Sequence, residues 1–305
     1  MLAQSVRQFS KDNKETIVST CELIGINRQV YYRLNWSKAK GQETAKKVIE
    51  IVRTGRMKMP RLGSRKLYVN HHQSFKEIGV GRDKLFKILK ANHLLIKPLK
   101  SYRITTDSHH RFRKHKNLVS NITINRPEQV WVSDITYIGN RGNHRYLALV
   151  TDAYSKKIVG YDISNSLSAS GSIRALSMAI KTRKNKHESL IHHSDRGIQY
   201  CCNEYQKRLI KYEIKCSMTE AYDPYENAVA ERINRVLKEE FLLEQYHVDL
   251  TTMKKIIKET VMVYNHDRPH ISCHMKTPVQ MHKQRLINIK TYRKENSYQE
   301  NLIAI

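Results

Sequence analysis

The run "QVWVSDITYI" at residues 129–138 constrains the fold more than any other stretch of the chain. Val130, Val132, Ile135 and Ile138, with Trp131 and Tyr137 among them, have the β-branched and aromatic character of a buried strand. Asp134 stands in the middle of it. A carboxylate removed from water is costly unless a partner charge, hydrogen bonds or a metal compensates it. A period of two places Val130, Val132, Asp134 and Thr136 on one face and Trp131, Ser133, Ile135 and Tyr137 on the other. Asp134 is thus expected to project near the strand's end, where a site can form beside the core.

Downstream, strands and helices alternate. "HRYLALVTDA" and "KKIVGYDIS" are two more strands, separated by a short turn around Tyr154 and Ser155. A helix is expected over 167–184, a short strand at "SLIHHSD", a helix at "NEYQKRLIKY", a strand at "EIKCSM" and a helix over 226–241. Three strands in meander and then alternating helix and strand is the order of a ribonuclease-H-like α/β fold, a mixed five-stranded sheet with flanking helices. This core is expected over 125–245. Residues 246–305, with a helix at 251–263, would form a C-terminal helix and tail packed on it.

The part upstream is different in pattern and in charge. The 305 residues carry 55 Lys and Arg against 28 Asp and Glu, a formal charge of +27, with an isoelectric point near 9.9. Residues 1–120 hold 27 of the basic residues against 8 acidic ones, whereas 121–245 hold 18 against 15. So uneven an excess implies a polyanionic partner, nucleic acid first, held mainly by the first third. Residues 14–34 read as helix, turn, helix, with Gly25 as the break and Asn27 as a cap beside Arg28. A second unit comprises a helix over 43–57 and "GVGRDKLFKILKANHLL", where Leu85, Ile88 and Leu89 form a core face. Arg82, Lys84, Lys87 and Lys90 are then free to meet phosphates. An all-α, helix-turn-helix-like DNA-binding region is therefore expected over 1–100, and a basic linker over 101–124 that crosses DNA rather than packing. The five cysteines lack CxxC spacing, which fits a reducing cytosol, and no apolar run approaches the roughly 20 residues of a membrane span.

Two further acids share the setting of Asp134. Asp195 in "IHHSDRGIQY" follows a short apolar strand directly, at the strand's end. In "ENAVAERINRVLKEEF", at about 100° per residue, Glu231 and Lys238 fall within roughly 20° of each other on one stripe, flanked by Asn227 and Arg235. Val229, Ile233 and Val236 take the opposite side and dock the helix. Convergent carboxylates are what phosphoryl transfer on DNA requires, because two Mg²⁺ ions can activate the attacking oxygen and stabilise the leaving one. Metal would compensate the burial of Asp134; without it, crowding of like charges should raise at least one pKa. Asp152 ends its strand as a turn residue and is left out of this set. Of His192 and His193, one is expected to fill strand space. Tyr264, Asn265, Arg268, Pro269 and His270 read as a structural brace.

"WVSDITYI", "HHSDRGIQY" and "DPYENAVAERINRVLKEE" resemble the three acidic motifs of DDE transposases with a retroviral-integrase-like core, and more narrowly those of the second-frame (OrfB) proteins of bacterial insertion sequences. The 35 residues between Asp195 and Glu231, and the basic residue seven positions after Glu231, are similar to that group's spacing. "IGINRQVYYR", "LGSRKLY" and "YNHDRPHISCHMKTP" resemble its other blocks, so the likeness covers nearly the whole chain. It implies a ribonuclease-H-like core, Mg²⁺ dependence with Mn²⁺ as a substitute, hydrolysis at an element end and transfer of the freed 3′-hydroxyl to a second phosphodiester of double-stranded DNA. By position it makes Asp134, Asp195 and Glu231 the metal ligands and Lys238 a DNA contact near the reacting end. It also implies a homo-oligomer on DNA, a bacterial cytoplasmic and nucleoid setting, and a partnership or fusion with an upstream-frame helix-turn-helix protein carrying a leucine zipper; this chain has no leucine heptads. Two positions depart from the pattern: Glu226 replaces the usual Asp before the glutamate motif, and Cys273 replaces a Leu in the C-terminal block.

Overall fold

The computed structural model describes residues 2–97, 115–120, 122–139, 144–219 and 227–289. They fall into two compact units, one of residues 1–57 and 71–95, the other of 58–70 and 96–305.

In the first unit, helices α1 (Leu2–Asp12), α2 (Ile17–Leu23) and the start of α3 (Arg28–Lys58) enclose Ala3, Val6, Cys21 and Tyr31. Thr16 caps α2 by accepting from the Ser19 amide at 3.1 Å. Gly25, at φ +71°, turns the chain in the left-handed region that a side chain disfavours. Asn27 then accepts from the Gln29 amide at 2.8 Å and opens α3. The helix-turn-helix pattern is present, but its second helix runs 31 residues without a break and absorbs the separate helix expected over 43–57. Gly41 lies within it, and one helical glycine costs only about 1 kcal/mol. Later come α4 (Ser64–Asn70), α5 (His72–Glu77) and α6 (Arg82–Ala91). Gly79, at φ +64°, sets the turn into α6, whose Leu85 and Leu89 are buried.

Helix α4 belongs to the second unit although it lies inside the stretch expected to be a DNA-binding region. The reason is electrostatic. Lys66 pairs with Glu240 at 2.7 Å, Glu240 pairs with Arg268 at 2.7 Å, and all three side chains are largely buried. Burial, aided by the charge of Arg268, pulls the Lys66 ammonium down to about 8 although Glu240 opposes it. The expected linker also ends early. The Leu118 amide donates to Ser217 Oγ at 2.8 Å, and Val119, Ile122 and Ile124 pack on the core. Just before "NLVSNITI", the Lys116 carbonyl already accepts from the Met218 amide of β5 at 3.3 Å.

The second unit is built on a five-stranded sheet ordered β3-β2-β1-β4-β5, with β1 Val130–Ile138, β2 Arg145–Asp152, β3 Ile158–Ser164, β4 Leu190–Ser194 and β5 Ile214–Met218. β1, β2 and β3 pair antiparallel; β4 and β5 run parallel to β1. This mixed order is the ribonuclease-H-like arrangement. The remaining helices are α7 (Ala169–Thr182), α8 (Ile198–Cys201), α9 (Asn203–Lys211), α10 (Ala228–Glu240), α11 (Leu250–Asp267) and α12 (Pro278–His282).

The alternation along β1 sorts its side chains between two cores. Trp131 joins Ala148, Val150, Leu176, Tyr205 and Leu209 on the side of α7 and α9. Val130 and Val132 join Ile191 and Ala230 on the side of α10. Each fully buried aliphatic or aromatic side chain contributes about 1.5–3 kcal/mol, so a one-residue slip of β1 would forfeit both cores. α7 lies so close on β3 that a Cβ at Gly160 would overlap the carbonyl oxygen of Ala175.

Asp152 is the turn residue expected. Its carboxylate accepts from the amides of Glu128 at 2.7 Å and Ser155 at 2.8 Å. Burial alone would raise that carboxyl, but His282 and the Ser155 bonds outweigh it and hold it below the ordinary range. The brace is also present. Asn265 bonds Ile158 through both its N–H and its carbonyl at 3.0 Å each, and Tyr264 OH donates to Lys156 O at 2.8 Å. Cys273 fits the core beside Tyr154 and Met281, so the departure from Leu leaves a packed site.

Candidate active site

Asp134 lies on the α10 face of β1. Its Oδ1 accepts from the Ile135 amide at 2.9 Å, and its Oδ2 accepts from Asn234 Nδ2 at 2.7 Å. The second bond ties the middle of β1 to α10. Burial first, then the charge of Asp195, and further the charge of Glu231, push the Asp134 carboxyl up to about 8.

Asp195 follows β4, whose Ser194 is in register with Ser133, the residue before Asp134. Parallel pairing therefore brings Asp195, just past the end of β4, level with Asp134 in the middle of β1. Asp195 Oδ1 accepts from the Gly197 amide at 3.0 Å, and a Cβ at Gly197 would approach that oxygen to 3.0 Å. Glu231 is in the first turn of α10, on its exposed side. Partial desolvation raises its carboxyl, Arg235 opposes the shift, and the charge of Asp195 adds to it. The three carboxylates thus act on one another electrostatically.

Among the described residues no three His, Cys, Asp or Glu side chains stand close enough to chelate one ion as they are placed. The donor set nevertheless suits a hard divalent cation. It consists of oxygen donors, and the raised carboxyls of Asp134 and Glu231 register negative charge that nothing nearby fully compensates.

The other expected residues are placed differently from one another. Asn227 is buried and donates to Ser133 O at 3.1 Å, so it pins the start of α10 to β1. Lys238 pairs with Glu244 at 3.4 Å, and Arg235 lies 3.9 Å from Glu239. In the first unit Arg28, Arg82, Lys84 and Lys87 are exposed; Arg82 pairs with Asp83 at 3.0 Å and Lys84 reaches Gly79 O at 3.4 Å. Glu226 lies outside the described residues.

Asn234 is not among the residues that the sequence singles out. It stands three residues after Glu231 and seven after Asn227, a spacing that returns to nearly the same stripe of the helix. A polar residue there, among Ile233, Val236 and Leu237, is the signal that could have found it. Beneath the site, Ser133 Oγ and Tyr205 OH meet His192 Nε2 at 2.7 and 2.8 Å. Burial, with the charge of His193 adding, pushes His192 down to about 3, so it is a neutral core histidine.

A mixed five-stranded sheet of this order with flanking helices defines a ribonuclease-H-like protein. The Integrase core domain family matches residues 124–224, and a second family of the same description matches 212–278. The chain is 31% identical over 260 residues to the insertion element IS600 uncharacterized 31 kDa protein of Shigella sonnei, covering 82% of this chain and 92% of that protein. It is 32% identical over 161 residues to transposase InsF for insertion sequence IS3A of Escherichia coli K12, across 52% of this chain and 56% of that one. It is 35% identical over 120 residues to a putative transposase for insertion sequence element IS986/IS6110 of Mycobacterium tuberculosis H37Rv, across 38% and 43%. The chain belongs to the family of insertion-sequence transposases with an integrase core domain.

Proposed function

We propose that this chain is a DNA transposase whose catalytic groups are Asp134, Asp195 and Glu231. The reaction is a pair of phosphoryl transfers. Water first attacks a phosphodiester at an element end, leaving a 3′-hydroxyl and a 5′-phosphate. That 3′-hydroxyl then attacks a phosphodiester of the target strand, displacing the target's own 3′-oxygen, which takes up a proton. The three carboxylates would hold two Mg²⁺ ions, for which Mn²⁺ can substitute, and these supply activation of the attacking oxygen and charge stabilisation of the leaving one. The protein's part is to fix the donors. β1 and the adjacent strand end carry the two aspartates, α10 carries the glutamate, and Asn234 orients the Asp134 carboxylate.

One observation supports this reading above the others: a partly buried Asp134 whose carboxyl is raised by desolvation and by the charges of Asp195 and Glu231 while Asn234 of α10 holds it. Strongly perturbed carboxyls gathered from distant segments are characteristic of functional sites. Lys238 and Arg235 lie on the same helix as Glu231 and would meet DNA near the reacting end; Asn227 acts through β1. The basic first unit, through Arg28, Arg82, Lys84 and Lys87, would hold duplex DNA. A homo-oligomer on DNA, an upstream-frame helix-turn-helix partner and a place at the bacterial nucleoid complete the proposal. No helix among the described residues is long and apolar enough to cross a membrane.

The test is Glu231→Gln in a strand-transfer assay on DNA bearing the element ends. Loss of both hydrolysis and strand transfer with DNA binding retained is expected. Unchanged strand transfer would refute the assignment, and cleavage of an RNA–DNA hybrid in place of DNA ends would point to a nuclease on the same fold.

A further inference from the structure

A cavity of about 320 Å³ opens beside the start of β1, lined by Glu128, Lys157, Lys184, His282, Lys283 and Arg285 among others. Val130, where β1 begins, precedes Asp134 by four positions, so at about 3.3 Å per residue the start of the strand lies roughly 13 Å from that residue, with the cavity at that far end. It is therefore separate from the acidic site. Its volume is at the low end for a ligand pocket.

The lining is cationic, but its charges are not equivalent. Arg285 is already engaged, with Glu188 at 2.7 and 3.2 Å, and Arg126 shares the same carboxylate at 2.8 Å. Glu128 is 2% exposed. Its oxygens accept from the Lys184 amide at 2.9 and 3.1 Å and from the Asn185 amide at 2.6 Å, with His282 Nε2 a further 3.9 Å away. Its negative charge is thus met by backbone donors within the wall. Lys157, Lys184 and Lys283 remain, and none of their ammonium groups makes an ion pair among the described residues. Burial lowers the Lys157 ammonium, and Lys184 is close enough to add to that shift while Asp152 and Glu128 oppose it. Like charges converging on one hollow are relieved by an anion, and lysine is a point-charge binder of phosphate.

We propose that this cavity takes a phosphate group, and that the group belongs to a DNA backbone passing the edge of the core opposite the carboxylates. The source of the phosphate rests on the transposase reading; the anion chemistry does not. The contact would give the core a second grip on DNA, independent of the reacting phosphodiester.

The experiment compares the full chain with Lys184→Gln/Lys283→Gln and with Lys207→Gln/Lys254→Gln, which removes the same charge from exposed positions on α9 and α11. Duplex DNA binding is measured in EDTA across a salt series, so no turnover is required and a failed catalytic assignment does not alter the readout. The slope of log K against log salt should fall by about 0.9 for each phosphate no longer bound in the cavity variant and stay unchanged in the other. In a second arm, inorganic phosphate at matched ionic strength should raise the unfolding temperature of the wild type and the α9/α11 variant, and not that of the cavity variant. Loss of the phosphate effect with an unaltered DNA slope would overturn the DNA source and leave a free phosphate compound as the occupant. Equal slope changes in both variants, or no phosphate effect in the wild type, would overturn the site.

Discussion

Replacing Asp134 by Asn separates what the carboxylate costs the fold from what it does for chemistry. In the metal-free chain burial, then Asp195, hold the Asp134 carboxyl at about 8 against an ordinary 3.8. The folded state therefore binds this proton more tightly than the unfolded state. The stability it brings is fully present below about 4 and is lost as pH rises through 8. About four units at 1.36 kcal/mol each set a ceiling of about 5 kcal/mol, which relaxation and water entry will reduce. The amide of an asparagine cannot ionise, so Asp134→Asn should match the wild type in stability near pH 4 and exceed it by several kcal/mol at pH 8 to 9. Titrating groups other than Asp195 and Glu231, which are coupled to Asp134, are common to both chains and cancel in the difference. Denaturant unfolding in EDTA at a series of pH values measures it, with fluorescence of the fully buried Trp131 as one probe. Adding Mg²⁺ at pH 8 should then stabilise the wild type, because the ion takes over the role of the proton, and leave Asp134→Asn nearly unmoved. Parallel stability curves for the two chains would refute the reasoning.

Arg268→Ala should destabilise the second unit by about 1.5–3 kcal/mol, because it removes the charge-assisted bonds to Glu240 and leaves that carboxylate with Lys66 as its cationic partner; thermal unfolding reads this, and a change below about 0.5 kcal/mol would contradict the buried-pair account. Gly160→Ala should cost at least about 1–3 kcal/mol by overpacking, since the new methyl would overlap Ala175 O and come 2.9 Å from Ala179 N, both backbone atoms; unaltered denaturation would show that α7 can move. Neutralising Arg82, Lys84 and Lys87 together should reduce the salt slope of DNA binding by up to about 0.9 for each phosphate released. A slope equal to wild type would remove α6 from the DNA-holding surface.

The parts legible in the sequence were those fixed by local periodicity. Two-residue alternation separated Trp131 from Val132 and put Asp134 on the α10 face, though in the middle of β1 rather than near its end, and the apolar side of α10 followed from Ile233 and Val236. Asp152 read as a turn residue because it closes a strand before a tight connection. What escaped was set by partners far along the chain. Nothing near Lys66 announces Glu240, 174 residues away, so α4 was assigned to the wrong compact unit. The expected separate helix over 43–57 is part of α3, whose backbone bonds carry through the polar stretch around Gly41. Asn234 looked like an ordinary helix amide. Its importance comes from the strand it touches, and a single sequence does not show which strand that is.

The two ends of α10 are both fastened, at Asn227 to the Ser133 carbonyl and at Glu240 to Arg268 and Lys66. Between those fastenings the helix acts as a ruler. One inserted residue would swing everything beyond it by about 100° and lengthen the span by about 1.5 Å, so Glu231 or Glu240 would lose its seat. The stretch from 227 to 240 should therefore tolerate exchanges of side chains far better than any change of length.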